Sequence, residues 1–155
     1  MALTATQLAT LKAAIQADAT AAAYWTAGQT SPLVEYLNSP PATEPTLLWR
    51  ENVTARELFH ALYGPDVLSL SAQQLAILQL AGIAGSVDFS SINIESGLGQ
   101  LFGPLSTTAA NIAKLAVRPA TRFEALYAST QGKASITAVY GHSVDIPTIQ
   151  QAMAT

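Results

Sequence analysis

Leu8, Leu11 and Ile15 recur at helical spacing near the start of the chain, with Ala13, Ala14 and Ala17 between them. That period lays an apolar stripe along one helix face, and alanine is the strongest helix former. A first helix is therefore expected from about Thr6 into the stretch ADATAAAYW. TAGQTSP then breaks the pattern, and LVEYLN reads as a short helical turn. SPPATEP reads as a loop, because its prolines cannot donate backbone hydrogen bonds or sustain a helix.

TLLWRENV is expected to begin extended or turn-like, followed by a helix over TARELFHALY. Thr54 and Glu57 stand at the spacing of a capping box, in which the threonine and glutamate each satisfy a free backbone N–H of the first turn. Gly64-Pro65 ends that helix. Ser71 and Gln74 repeat the spacing and open SAQQLAILQLAGIAG as the next one. GSVDFSS reads as a connector, and Ile94, Leu98, Leu101 and Phe102 form a further helical stripe that stops at Gly103-Pro104.

Thr107 or Thr108 is expected to cap the stretch containing AKLAVRPATRFEALYA. If one helical register runs through Pro119, Ile112, Leu115, Ala116, Phe123, Leu126 and Tyr127 share a face. Lys114 and Arg118 then lie opposite, with Arg122 on the flank, at about 100° per residue. Pro119 either kinks this helix or opens a second one as its first residue. ASITAVYG is rich in β-formers, and Gly141-His142 can turn it into HSVD as a hairpin. Asp145 then caps a final helix that tolerates Pro147 in its first turn. The pattern as a whole predicts a mostly α fold: a single-domain helical bundle over residues 1–155, with a small C-terminal β-hairpin followed by a short terminal helix.

Composition changes this picture in three ways. The chain has 155 residues and no cysteine, which excludes disulfide scaffolds, Cys-ligated metals and thiol nucleophiles. Charged residues make up 11%, against about 25% in an average domain, so the polar surface is largely Ser, Thr, Gln and Asn. Such a surface is less costly to desolvate than a Lys/Glu surface, which favours a protein that packs against neighbours. A net charge of −3 gives no global basic field for gripping nucleic acid. The richest apolar stretch, LAILQLAGIAG, is too short and too interrupted for a membrane span, and MALTATQLATLK has no basic and apolar regions of a secretory signal. A soluble protein not addressed for export is expected.

No catalytic constellation emerges. His60 and His142 stand far apart with no metal-ligand spacing around them, so structural or surface roles are expected. GHSVD holds His, Ser and Asp, but successive strand side chains point to opposite faces, which separates His142 from Ser143. The third glycine of GLGQLFG is misplaced for a dinucleotide loop. Glu51 and Glu57 are expected to pair with Arg50 or Arg56 rather than to exchange protons. No catalytic, cofactor-binding or metal-binding residue is assigned, and the chain is read as non-enzymatic. Trp25 and Trp49 are candidate interface anchors, with burial in a core as the alternative.

Five stretches, in order, resemble a family of small structural proteins of tailed bacteriophages. They are MALTATQLATLKAAIQAD, TLLWRENV, SSINIESGLGQLFG, VRPATRFEALYASTQG and ASITAVYGHSVDIPTIQQAM. The segment from Ala120-Thr121-Arg122-Phe123 to Gly132 resembles a recurrent piece of that family, whereas the Pro-rich SPPATEP departs from it. The resemblance implies a virion component of the head–tail connector or adaptor type, made in the host cytoplasm and packed as a ring at the portal–neck junction. Its partners would be other copies of itself and the portal and neck or tail proteins, with a weak DNA contact in the lumen and no membrane. A tail-terminator, tail-completion or capsid-associated protein is the alternative within that class; a small cytosolic ligand-binding protein or enzyme is the alternative outside it. The candidate interface residues are Trp25, Trp49, Lys114, Arg118, Arg122 and Tyr140. For the basic stripe, three readings stand: a solvated helix face, phosphate contact, or a partner's carboxylates, with Arg122 placed to bind bidentately.

Overall fold

The structure is a computed structural model that describes residues 3–42, 46–128 and 143–154. The expected hairpin, with Tyr140 and His142, lies outside the described residues apart from its last positions. The fold is mostly helical, as the periodicity predicts. The chain gathers into two compact units, residues 1–47 with 119–155 and residues 48–118, each around its own core.

In the first unit, α1 (Ala5–Ala17) starts one residue before the expected Thr6, because Thr4 and Gln7 form a capping box. The helix does not continue through ADATAAAYW. Asp18 adopts an extended backbone (φ −88°, ψ 115°), and its carboxylate accepts the N–H groups of Thr20 and Ala21 at 2.9 and 3.0 Å. A side chain that competes for free N–H groups ends one helix and starts the next, α2 (Ala19–Thr26). Gly28, at φ 70°, makes the turn into α3 (Thr30–Leu37), which is longer than the expected turn and holds Pro32 in its first turn, where no N–H is needed. Leu8, Leu11, Ile15, Ala21, Leu33 and Leu37 from these helices form the first core with Phe123 of α9 (Arg122–Tyr127) and Ile149 and Ala152 of α10 (Ile146–Ala154). Asp145 accepts the Thr148 N–H at the start of α10, as expected. Asn38 exchanges two hydrogen bonds with the Val144 backbone, each 2.9 Å, and so ties the end of α3 to the segment leading into α10.

The second unit carries short strands among its helices. β1 (Leu47–Trp49) pairs with β4 (Val117–Pro119), and β2 (Val53–Thr54) pairs antiparallel with β3 (Ser86–Val87), with Val53 opposite Val87. GSVDFSS is therefore more than a connector: β3 fills it, and Phe89 N–H then donates to the Arg50 carbonyl at 2.9 Å. α4 (Ala55–Ala61) and α6 (Ala72–Ile83) open with the two expected capping boxes, at Thr54–Glu57 and Ser71–Gln74. α4 stops at Ala61, where Leu62 turns extended, short of the expected end at Gly64-Pro65; that pair instead opens a short α5 (Gly64–Leu68). α7 (Ile92–Phe102) stops at Gly103, whose φ of 72° belongs to glycine. The core gathers Val53, Leu58, Val87, Phe89, Leu98, Leu101, Ile112 and Ala116.

The largest departure from the expected pattern is at AKLAVRPATRFEALYA. α8 (Thr107–Leu115) is capped by Ser106, not by Thr107 or Thr108, and it does not run through Pro119. Proline drives the preceding residue, Arg118, out of the helical region and offers no N–H of its own, so the chain runs extended as β4. Thr121 and Glu124 then form a capping box that starts α9 three residues after the proline. The expected single apolar face is thus divided: Ile112, Leu115 and Ala116 belong to the second core, and Phe123, Leu126 and Tyr127 to the first.

Thr108, missed as a cap, has a different task. Fully buried, it accepts the Tyr63 N–H at 2.9 Å, while its own N–H donates to the Asp66 carboxylate at 2.7 Å. Thr108→Val preserves the shape but removes the acceptor, leaving the Tyr63 N–H unpaired. Urea unfolding of this variant is expected to show a loss of about 1–3 kcal/mol, and a loss well below that range would mean water reaches Tyr63.

Candidate functional site

Lys114, Arg118 and Arg122 do not share a helix face. Lys114 is exposed near the end of α8, Arg118 is half-buried in β4, and Arg122 is half-buried at the first position of α9. Trp25 is half-buried against the first core and Trp49 against the second, so each indole is divided between packing and solvent.

Arg122 is engaged within its own unit. Its Nη1 donates to Ser39 Oγ at 2.7 Å and lies 3.0–3.3 Å from the carbonyls of Pro40, Ser39 and Tyr36. The guanidinium carbon sits 4.0 Å from the centroid of the Tyr36 ring, a cation–π stack. The Tyr36 hydroxyl in turn donates to the Asp18 carboxylate at 2.8 Å. Burial works to raise the Asp18 pKa, but the Ala21 N–H, the Tyr36 hydroxyl, the Thr20 N–H and the Arg122 charge together hold it below the ordinary value. Arg122 thus adds a charged donor to carbonyls at and just beyond the end of α3, of which Tyr36 also accepts from Ser39.

A different pair of cations, Arg56 and Lys114, lines one groove. α4 and α8 lie side by side and antiparallel, because Asn111 Nδ2 donates to the Ala61 carbonyl at 3.0 Å and Thr108 accepts from Tyr63 further along. Between them runs an open groove of about 520 Å³ lined by Arg56, Glu57, His60, Ala61, Asn111, Lys114 and Leu115. A smaller depression of about 320 Å³ against Phe59 shares Arg56 and His60. Arg56 and His60 stand one helical turn apart on α4, as Asn111 and Lys114 do on α8.

The acid in this groove is already bound. Arg50 Nη2 approaches Glu57 Oε1 at 2.6 Å, and Glu57 Oε2 accepts from the N–H and hydroxyl of Thr54, each at 2.9 Å. The Arg50 hydrogen bond first, then those from Thr54, lower the Glu57 pKa to about 2. Held ionised and bonded on both oxygens, Glu57 is a poor proton carrier at neutral pH. Arg56 and Lys114 form no ion pair with another described residue, so the rim carries two cations beside His60, over an apolar floor of Ala61 and Leu115. Chemically the groove suits docking of an anionic group. Among the described residues no group of three or more His, Cys, Asp or Glu side chains could hold a metal ion. No helix of the described residues is long and apolar enough to cross a membrane.

The chain matches no family model, no curated protein and no solved structure.

Two outcomes follow from this geometry. Arg122→Ala should cost about 3 kcal/mol in urea unfolding, as charge-assisted bonds and a cation–π stack are lost together. Arg122→Lys should recover less than half of that loss, because an ammonium lacks the planar fork. Equal stability of both variants and the parent would assign Arg122 to a partner instead.

Glu57 predicts a pH dependence. Its folded pKa of about 2 lies below the ordinary 4.5, so the stabilisation is complete above pH 4.5 and is lost as pH falls toward 2. Glu57→Gln should therefore melt below the parent at pH 7, with the gap in Tm closing as both are taken to pH 2. A gap independent of pH would mean the Arg50 pairing contributes nothing through charge.

Proposed function

We propose that this chain is a non-enzymatic structural component of a tailed phage particle, a head–tail connector or adaptor subunit that packs with its own copies in a ring at the portal–neck junction. The reading rests on the ordered five-segment resemblance, and one structural observation supports its assembly character. The ionisable side chains with well-defined partners are engaged in holding elements: Asp18 and Asp145 cap helices, Arg50 and Glu57 brace α4, and Arg122 closes the end of α3. Among the described residues, a charge-poor surface with a groove rimmed by Arg56 and Lys114 faces outward, which suits docking more than turnover.

In this reading, subunits meet through low-charge surfaces that desolvate at little cost. The groove, with Lys114 and Arg56 on its rim, takes the place of the Lys114–Arg118–Arg122 stripe as the feature able to meet carboxylates of a neck or tail protein, or phosphates in the lumen. The position in the particle also distinguishes a connector from a tail terminator, a tail-completion protein or a capsid-associated protein.

The test is direct. Purified intact particles from a host producing this chain should contain it in a fixed multiple copy number, and imaging should place its density between portal and tail. Its absence from intact particles would overturn the proposal, and density elsewhere on the particle would assign it to one of the alternatives.

A further inference from the structure

Arg56 and Lys114 line the α4–α8 groove from different helices, and both are exposed. Among the described residues neither forms a hydrogen bond or an ion pair, since the ion pair there is Arg50–Glu57. Arg50 also joins the two walls. Its Nη2 lies 2.6 Å from Glu57 Oε1 on α4, and its Nη1 lies 3.4 Å from the Leu115 carbonyl on α8. That contact neutralises the acid among the lining residues and leaves the charges of Arg56 and Lys114 unmatched. Asn111 Nδ2 donates to the Ala61 carbonyl, and Asn111 makes no other side-chain hydrogen bond among the described residues. Its Oδ1 is therefore a spare acceptor in the same groove.

We propose that this groove binds a short acidic peptide segment of another protein, with carboxylates on Arg56 and Lys114 and an apolar side chain over Ala61 and Leu115. The lining selects a peptide over a bare phosphate. A phosphate is best held where N–H donors converge. This groove instead offers an acceptor at Asn111, an apolar floor, and a carboxylate, Glu57, beside the cations. A peptide answers all of these: an N–H for the acceptor, a side chain for the floor, and separated carboxylates for cations on two walls. The acid comes from another protein, because Asp18, Asp66, Asp88 and Asp145 are each held by backbone N–H groups of this chain. With a net charge of −3, the chain as a whole does not attract an acidic partner, so the attraction is local to the groove.

The groove's volume of about 520 Å³ falls in the roughly 300–1,000 Å³ range of ligand sites, but its cations stay wet. Exposed ion pairs contribute little each, so the segment binds weakly alone and adds to a larger contact between the two proteins. The inference rests on the docking role proposed above for the groove and narrows it to carboxylates. It is separable from the particle: the segment can bind where no particle forms, and a chain in a particle can leave the groove empty.

The probe is the peptide acetyl-EELEE-amide, titrated at low salt into isotope-labelled protein and followed by backbone amide resonances. Saturable shifts should centre on His60, Ala61, Asn111 and Leu115. Arg56→Gln combined with Lys114→Gln should weaken binding roughly tenfold, the sum of two exposed pairs. Both positions are exposed and unpartnered among the described residues, so Tm should not change. Serine in place of the peptide's leucine should also weaken binding, which separates a fitted segment from diffuse charge attraction. An oligothymidylate should shift the same resonances less than the peptide does. No saturable shift at these residues, binding indifferent to the double replacement, or equal binding of the serine peptide each overturns the proposal. Tighter binding of the oligothymidylate overturns it in favour of phosphate, and the same shifts produced by raising protein concentration alone overturn it in favour of a second copy.

Discussion

One planar cation organises the unit formed by the two ends of the chain. The Arg122 guanidinium sits over the Tyr36 ring and against the carbonyls of Tyr36, Ser39 and Pro40, and Tyr36 in turn holds Asp18. Three helix boundaries meet there: the start of α2 at Asp18, the end of α3, and the start of α9. The C-terminal carbonyls of a helix carry partial negative charge and lack partners, so a cation placed over them is stabilised and satisfies them together. Lysine cannot stack and fork in the same way.

Helix type was legible from period, while helix boundaries depended on which local signal prevailed. The boxes at Thr54–Glu57 and Ser71–Gln74 followed turn residues and so stood out. Thr121–Glu124 has equivalent chemistry but sits within an apparent apolar stripe that runs past it, and Thr4–Gln7 lies just ahead of the stripe that begins at Leu8. At Asp18 and Arg118-Pro119 a local backbone preference outweighed that periodicity. One carboxylate captured two N–H groups, and one proline excluded the helical conformation before it. The two cores lay beyond local reading because Phe123 and Ile112, neighbours in the expected stripe, belong to different clusters.

The candidate site was legible only in halves. The turn-spaced pairs Arg56–His60 and Asn111–Lys114 are each visible along their own helix, and each alone reads as a solvated face. What joins them is the antiparallel contact fixed by Asn111 to Ala61 and by Thr108 to Tyr63, across separations of 50 and 45 residues. Nothing in local periodicity encodes such a pairing. The Lys114–Arg118–Arg122 spacing was prominent in the sequence, but it required a helix that Pro119 does not permit.

Scarcity of charge has a structural consequence beyond solubility. When Arg50, Glu57, Asp18 and Arg122 are engaged in bracing and capping, few charged groups remain to mark surfaces against unwanted contact. Surfaces then discriminate by shape and by the cost of desolvating amides and hydroxyls, which is smaller than for ions. The rim of Arg56, His60 and Lys114 and the outer face of α6, where Ile77, Leu80 and Ile83 are exposed, are opposite solutions to this condition. The groove places the cations Arg56 and Lys114 side by side, while α6 carries no charge over its full length.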